Sequence, residues 1–192
     1  MFLQFSPQAR RAFVFGVAGI TIYLFMVLGT LANLEALSGL KPFDMRPAGY
    51  GPEDAHALLA SLGEAGRKYY LERQLLLDAL YPALLALTLS NFFYLTGNGL
   101  NVGKLVRAGV IISWLAASLD YVENACIAAM LKLWPEIPNA LVNVASLATI
   151  SKSISTSLAV TGLVGLIIWR MWCKRKMSLA AQPFDTGADI KP

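Results

Sequence analysis

The sequence contains few charged side chains. Asp, Glu, Lys and Arg make up 15% of its 192 residues, whereas hydrophobic residues make up 56%. Soluble domains carry about 25% charged residues, and a soluble fold of this length could not bury so much apolar surface. The composition therefore argues against a soluble domain, and nothing in it indicates nucleic-acid binding.

The sequence is also poor in histidine and cysteine. Its one histidine, His56, falls in a predicted surface helix, which excludes haem held by two histidines and multi-histidine metal sites within one chain. No nucleophile motif accompanies His56, so Ser-His-Asp hydrolysis is not indicated. The two cysteines, Cys126 and Cys173, fall at opposite ends of the predicted helices and form no Cys-x-x-Cys motif. We therefore predict no metal and no cofactor.

Long apolar runs are what the sequence does contain. A helix needs about 20 apolar residues to cross a bilayer, and four segments reach that length, at residues 13–34, 70–95, 105–133 and 140–172. The first segment exceeds the apolar core of about 7–15 residues in a signal peptide, so we expect it to be retained. The sequence thus predicts an all-α polytopic membrane protein. A single four-transmembrane-helix bundle spans residues 1–176, and the polar tail 177–192 is expected to be disordered.

The distribution of Lys and Arg predicts the orientation, because these residues gather on the cytoplasmic side. The bias is modest and favours cytoplasmic N- and C-termini. The predicted cytoplasmic face carries Arg10, Arg11, Lys104, Arg107, Arg170, Lys174, Arg175 and Lys176. The opposite face carries Lys41, Arg46, Arg67, Lys68, Arg73 and Lys132.

The only long connection, residues 38–69, falls on the predicted external face. Within it, Pro52 suits the first position of a helix and Gly63 suits its end. We expect an amphipathic helix that lies along the membrane surface or caps the bundle, either as a simple connector or as a lid over a site. Its predicted apolar face consists of Ala55, Leu58, Leu59 and Leu62.

Four stretches carry a resemblance. They are DMRPAGY at residues 44–50, LLASLG at 58–63, YLERQLLLD at 70–78 and DYVEN at 120–124. With them the chain resembles an uncharacterised group of bacterial four-helix integral membrane proteins. The resemblance implies the fold and a location in the cell inner membrane, and it implies no activity.

Ionisable residues inside the predicted membrane segments are the candidate functional residues. They are Asp78, Asp120, Glu123 and Lys152, and a charge at such depth costs upward of about 2.5 kcal/mol unless it faces the bundle interior and is paired. We expect Lys152 to pair with Asp120 or Asp78. The remaining carboxyl groups then require a bound proton, a bound cation, or Arg73 reaching in.

Helical spacing places these groups on polar faces that meet at similar depth. Tyr70, Gln74, Asp78 and Tyr81 form one stripe, and Asp120 and Asn124 belong to another. Pro82 lacks an N–H group, which leaves the carbonyl of Asp78 free for a ligand or a water. The predicted ligand-binding residues are those of the stripes together with aromatic groups suited to cation–π contact: Tyr70, Gln74, Tyr81, Trp114, Tyr121 and Asn124.

Three functions fit such a cluster. It could bind, or do proton chemistry on, an apolar or cationic small molecule or a lipid. It could be a structural polar cluster in an accessory subunit of a membrane complex, or the relay of a small proton- or cation-coupled transporter. The sequence leaves the presence of an enzyme activity open. The expected partner is the lipid bilayer, and a homodimer through the Ser/Thr-rich stretch 151–157 is a further hypothesis.

Overall fold

The computed structural model describes residues 6–180, with side chains described through residue 176. All elements in this range are helical, and it contains no strand. Four helices are long and apolar enough to cross a membrane, and each contains one of the predicted segments. We label them α1 (Pro7–Ser38), α2 (Pro52–Gly97), α3 (Gly103–Leu133) and α4 (Asn139–Ala180). The predicted tail beyond residue 180 lies outside the described residues.

Two of the helices are irregular at the same level of the bundle. A π-helical turn interrupts α1 at Met26–Thr30, and another interrupts α2 at Tyr70–Gln74. The hydroxyl of Thr30 bonds to the amide oxygen of Gln74, which joins the two turns. Such turns widen a helix locally and are frequent at functional sites. Here they frame the cavity described below.

The first part of α2 forms the amphipathic helix. The Asp54 carboxylate accepts from the backbone N–H of Gly51 at 3.0 Å, which caps its start. Gly63, at φ 61° and ψ −175°, breaks the helix, but the chain turns helical again at once and continues into the apolar part of α2. The predicted connection 38–69 therefore shortens to a loop at residues 39–51 that contains one 3₁₀ turn, Phe43–Met45. The buried residues of this first part are Ala55, Leu58, Leu59, Leu62 and Gly66.

Two apolar clusters hold the bundle together and mark its two ends. The larger lies beneath the loop 39–51, and the smaller lies towards the α2–α3 turn. In the smaller cluster Gly109 of α3 lies against the ring of Phe93, where any Cβ atom would collide with that ring. The larger includes Leu34, Phe43, Leu58, Leu59, Ile127, Met130 and Val142. The smaller consists of Leu89, Phe93, Val106, Ala159, Leu163 and Leu166.

We call the end with the smaller cluster the basic end. There the Arg170 guanidinium donates to the carbonyl oxygens of Leu95, Thr96 and Asn98, so the end of α4 caps the end of α2. We call the opposite end the loop end. At the loop end Arg46 forms an ion pair with Asp54 at 3.7 Å, so the charge of this arginine is balanced by a carboxylate.

Large apolar side chains cover the outside of the bundle between these ends. They point away from the core on α1, α3 and α4, as expected for helices surrounded by an apolar medium rather than by water. The exposed residues include Phe13, Ile20, Leu24, Phe25, Leu28, Ile111, Leu115, Leu147, Ile154, Leu158 and Ile168.

Candidate functional site

An ion pair between α3 and α4 is the first part of the site. The Lys152 ammonium lies 2.8 Å from Asp120 Oδ1 and is also in direct contact with Glu123 Oε2. Thr149, one turn before Lys152, donates its hydroxyl to Glu123 Oε1 at 2.7 Å. The side chain of Glu123 is fully buried. Lys152 therefore pairs with Asp120, one of the two predicted partners, and with Glu123 rather than with Asp78.

A hydrogen-bonded group on α1, α2 and the loop forms the second part. Tyr70 donates its hydroxyl to Asp44 Oδ2, and the Gln74 amide reaches Asp44 Oδ1 at 3.5 Å. The Tyr70 oxygen accepts from the backbone N–H of Phe43 at 3.1 Å, which fixes the loop above α2. Asp44 lies in the 3₁₀ turn Phe43–Met45, so a loop residue supplies a further carboxyl group.

Sequence reasoning missed Asp44 as a site residue. Helical periodicity indicates which side chains of a helix share a face, and it does not predict which loop residue turns inward. The available signal was the resemblance over residues 44–50, which begins at Asp44. Gly49 then brings the loop against α4: at φ 86° it adopts a conformation that L side chains rarely take, and a Cβ atom there would collide with Ser146.

Tyr50 closes the loop above Glu123. Its backbone N–H donates to the Ser146 hydroxyl at 2.9 Å, and its ring lies 4.6 Å from the ring of Phe43. Burial, and next the Glu123 carboxylate, raise the pKa of the Tyr50 hydroxyl above its ordinary value. Tyr50 therefore stays neutral and covers the ion pair without adding charge.

Asp78 lies between the two parts. Its side chain is 4% exposed, and no described residue donates a hydrogen bond to its buried Oδ2 atom. Its backbone carbonyl has no helical partner because Pro82 lacks an N–H group. This carbonyl accepts a hydrogen bond from the Asn124 amide at 3.4 Å, so it is not free for a ligand. The next carbonyl, that of Ala79, accepts from the Tyr121 hydroxyl at 3.0 Å. The α3 side chains thus provide donors for the two carbonyls at the break in α2, and the Oδ2 atom of Asp78 remains without a donor among the described residues.

A cavity of about 330 Å³ brings the two parts and Asp78 together. Carboxyl groups of Asp44, Asp78 and Asp120 and the amine of Lys152 face it, so negative groups outnumber the positive one. Such a cavity suits a cation or a hydrogen-bond donor. The complete lining is Tyr23, Met26, Leu31, Asp44, Pro47, Gln74, Asp78, Tyr81, Leu85, Asp120, Lys152, Ser153, Thr156 and Ser157.

The Ser/Thr-rich stretch of α4 supplies one wall of this cavity. Ser153, Thr156 and Ser157 line it beside Lys152. The Ser153 hydroxyl also donates to the carbonyl of Thr149 at 2.8 Å, so its oxygen remains available as an acceptor. The hydroxyl density of residues 151–157 thus has a role within one chain, and the homodimer remains a prediction.

The predicted ligand-binding residues separate into three groups. Gln74 and Tyr81 line the cavity. Tyr70 and Asn124 lie behind it, where they hold Asp44 and the Asp78 carbonyl. Trp114 and Tyr121 are 43% and 41% exposed and do not belong to its lining. Arg73, the alternative counter-ion, is exposed on the outer face of α2 and does not line the cavity either.

A second, apolar cavity adjoins the first. This groove of about 380 Å³ lies between α1 and the later part of α2 and shares Tyr23, Tyr81 and Leu85 with the polar cavity. The rings of Tyr23 and Tyr81 pack with centroids 5.5 Å apart where the two spaces meet. The groove is lined by Ala12, Phe13, Gly16, Val17, Gly19, Ile20, Tyr23, Tyr81, Leu85, Thr88 and Phe92.

Among the described residues, no group of three or more His, Cys, Asp and Glu side chains is arranged to hold a metal ion. Both cysteines are free, Cys126 in the interior and Cys173 near the end of α4. In comparisons with protein-family models, curated proteins and solved structures, the chain matches none. The function is therefore argued from the chemistry of the site.

Proposed function

We propose that the chain is a multi-pass protein of the bacterial inner membrane whose polar cavity binds an apolar small molecule or lipid by its polar group. Asp78 makes the central contact and exchanges a proton with that group. The observation that carries the proposal is the Asp78 side chain, which lines a cavity large enough for a ligand and whose buried Oδ2 atom has no hydrogen-bond donor among the described residues.

The membrane location rests on the helices and on the placement of charge. The four long helices present apolar side chains outward. The basic end carries eight of the Lys and Arg residues near the helix ends, and the loop end carries six. At the loop end Arg46 and Lys68 pair with Asp54 and Glu72. This asymmetry supports cytoplasmic termini at the basic end.

A purely structural cluster explains the site less well. The Lys152 ammonium already has two carboxylate partners, Asp120 and Glu123. A cluster that only fixes packing needs no further carboxyl group, and a buried unpaired carboxylate costs several kcal/mol. The carboxyl groups of Asp78 and Asp44 are not needed to balance the charge of Lys152. Their presence around an open cavity is explained if a ligand supplies the missing donor.

A transport function is less well supported because the cavity reaches only one part of the bundle. Between it and the basic end lies the smaller apolar cluster, which includes Phe93 and Leu166. The buried side chains described at this level include the hydroxyl groups of Ser90, Thr96 and Ser113 but no charged group, so no path of ionisable groups continues to that end. A ligand that enters from the bilayer and leaves the same way requires no such path.

Asp78 and the ion pair have different roles in this proposal. Asp78 contacts the ligand, whereas Glu123 and Thr149 hold Lys152 in place behind Asp120. Two carboxyl groups in different surroundings can divide the acid and base parts of a proton exchange. Asp78 has no cation in contact with it among the described residues, whereas Asp120 is held by Lys152, so the two carboxyl groups have different surroundings.

The test is a thermal-stability scan in detergent of the wild type and of Asp78→Asn, Asp120→Asn, Glu123→Gln and Lys152→Met. A matched control is Glu64→Gln, because Glu64 is exposed and lies outside the cavity. Each variant is measured alone and with a panel of long-chain amines, fatty acids, isoprenoid alcohols, quinones and sterols.

We expect Asp78→Asn to melt at or above the wild-type temperature, because the substitution removes an unpaired buried charge. A compound of the panel should stabilise the wild type and Glu64→Gln but not Asp78→Asn. If Asp78→Asn unfolds the protein as severely as Lys152→Met does, and no compound shifts the wild type, the cluster is structural and the proposal is wrong.

A further inference from the structure

We infer that the ligand is a single-chain amphiphile with a positively charged amine head, which occupies the polar cavity while its chain lies in the groove between α1 and α2. The inference rests on the proposed function, because it names the ligand class of the same site. It is carried by the adjacency of two spaces of opposite character, one lined by carboxyl groups and one by apolar side chains, which share the side chains of Tyr23, Tyr81 and Leu85.

The charges of the polar cavity select the head. Asp44, Asp78 and Asp120 face it, and of these only Asp120 is paired with Lys152. An anionic head would add a negative charge to this set, and a neutral head would leave the charge uncompensated. An ammonium group compensates it and donates hydrogen bonds, including one to the carboxyl group of Asp78, which lines the cavity and lacks a donor at Oδ2 among the described residues. Charge complementarity therefore favours a cation.

The boundary between the two spaces also favours a positively charged head group. Tyr23 and Tyr81 line both spaces, and their rings lie side by side at the junction. Tyrosine faces attract ammonium groups within about 6 Å of the ring centroid. A head group seated at Asp78 leaves its chain to pass these rings into the groove. The tyrosine pair thus marks the boundary between the charged head and the chain.

The groove fits a chain rather than a flat ring system. It follows one face of α1 from Tyr23 to Ala12, a distance of about 16 Å at 1.5 Å per residue. At Gly16 and Gly19 the two helices pack closely, since a Cβ atom there would already touch Thr88 at 3.5 Å and Leu84 at 3.6 Å, so helix backbone forms this part of the groove. A narrow space of this length accepts one extended alkyl or isoprenoid chain.

The test compares ligands that differ only in the head or only in the chain. Dodecylamine, dodecanol and dodecanoate share a chain, and methylamine carries the head without it. Each is added to the purified full chain in a maltoside detergent, and the melting temperature is recorded. At a concentration a hundredfold above its dissociation constant, dodecylamine should raise the melting temperature of the wild type by about 5–10 °C. The other three should shift it by much less.

Two variants test the groove separately from the head site. Ile20→Trp places a large ring in the groove, and the matched control Leu24→Trp places the same ring on the exposed face of α1 outside it. We expect Ile20→Trp to lose most of the dodecylamine shift and Leu24→Trp to keep it. Asp78→Asn should lose the shift whatever the chain.

The outcomes separate this inference from the function on which it rests. If dodecanol, dodecanoate or methylamine stabilises the wild type as much as dodecylamine, and the shift still requires Asp78, the ligand class is wrong while the site remains a binding site. Equal dodecylamine shifts in Ile20→Trp and Leu24→Trp would overturn the assignment of the groove. Absence of any Asp78-dependent shift, with these ligands and with the wider panel, would overturn the binding function itself.

Discussion

Replacing Lys152 by methionine tests the ion pair at the centre of the site. The substitution keeps the length of the apolar stem and removes the ammonium group that lies between Asp120 and Glu123. Glu123 is fully buried and would retain only the hydroxyl of Thr149 as a donor in its surroundings. Removing one partner of a buried pair leaves an uncompensated charge and costs about 3–5 kcal/mol.

That cost translates into a large change in melting temperature. For domains of about 150–250 residues, 1 kcal/mol corresponds to about 2–4 °C. Lys152→Met should therefore melt about 6–20 °C below the wild type. Intrinsic tryptophan fluorescence during heating in detergent provides the measurement. Lys104→Met, which removes an exposed amine at the basic end, should melt within a degree or two of the wild type and serves as the control.

The reason for the loss can be separated from a general effect of the substitution. In the double variant Lys152→Met with Glu123→Gln, the buried carboxylate is neutral and the amide can still accept the Thr149 hydroxyl. We expect this variant to recover part of the stability that Lys152→Met loses, because Glu123 is then neutral while Asp120 still lacks its cation, and this recovery is a coupling energy between the two positions. A single variant as stable as the wild type, or additive losses in the double variant, would refute the ion-pair reasoning.

Two further predictions concern packing and orientation. Gly109→Ala should destabilise the protein by about 1–3 kcal/mol, because the new methyl group meets the Phe93 ring. Gly165→Ala, with open space around it, should be neutral or stabilising in the same melting assay. Equal effects of the two substitutions would contradict the close approach of α2 and α3. In a Cys173→Ser background, a membrane-impermeant maleimide should label Ala60→Cys in intact spheroplasts and Asn101→Cys only after lysis, and the reverse pattern would invert the proposed topology.

The positions of the buried charges could be predicted from helix periodicity alone. Asp78, Asp120 and Lys152 are too costly to leave facing lipid, and each helix offers only one polar face, so the meeting of these faces follows from the sequence. The same reasoning predicted the buried face of the amphipathic helix, including Leu58 and Leu59, because the 3.6-residue period fixes which side chains share a face.

Partner choice within the site could not be predicted in this way. Periodicity gives the direction of a side chain to within a face, but which oxygen reaches Lys152 depends on the rotation and spacing of α3 against α4. A shift of about one residue decides between Asp120, Glu123 and Asp78. Trp114 also lies on α3, yet it is exposed, because a helix face that is small and polar near one end need not continue inward along its whole length.

The sequence by itself determined that the protein has four helices long and apolar enough to cross a membrane, since four apolar runs of this length occur with so little charge between them. It also determined the identity of the buried carboxyl groups on the helices. Only the tertiary structure decided that Asp44 joins them and that Asp78 is left without a partner. These outcomes depend on contacts between a loop and helices distant in sequence, and local patterns hold no information about such contacts. The apolar groove beside Tyr23 and Tyr81 arises for the same reason, from the spacing of two packed helices.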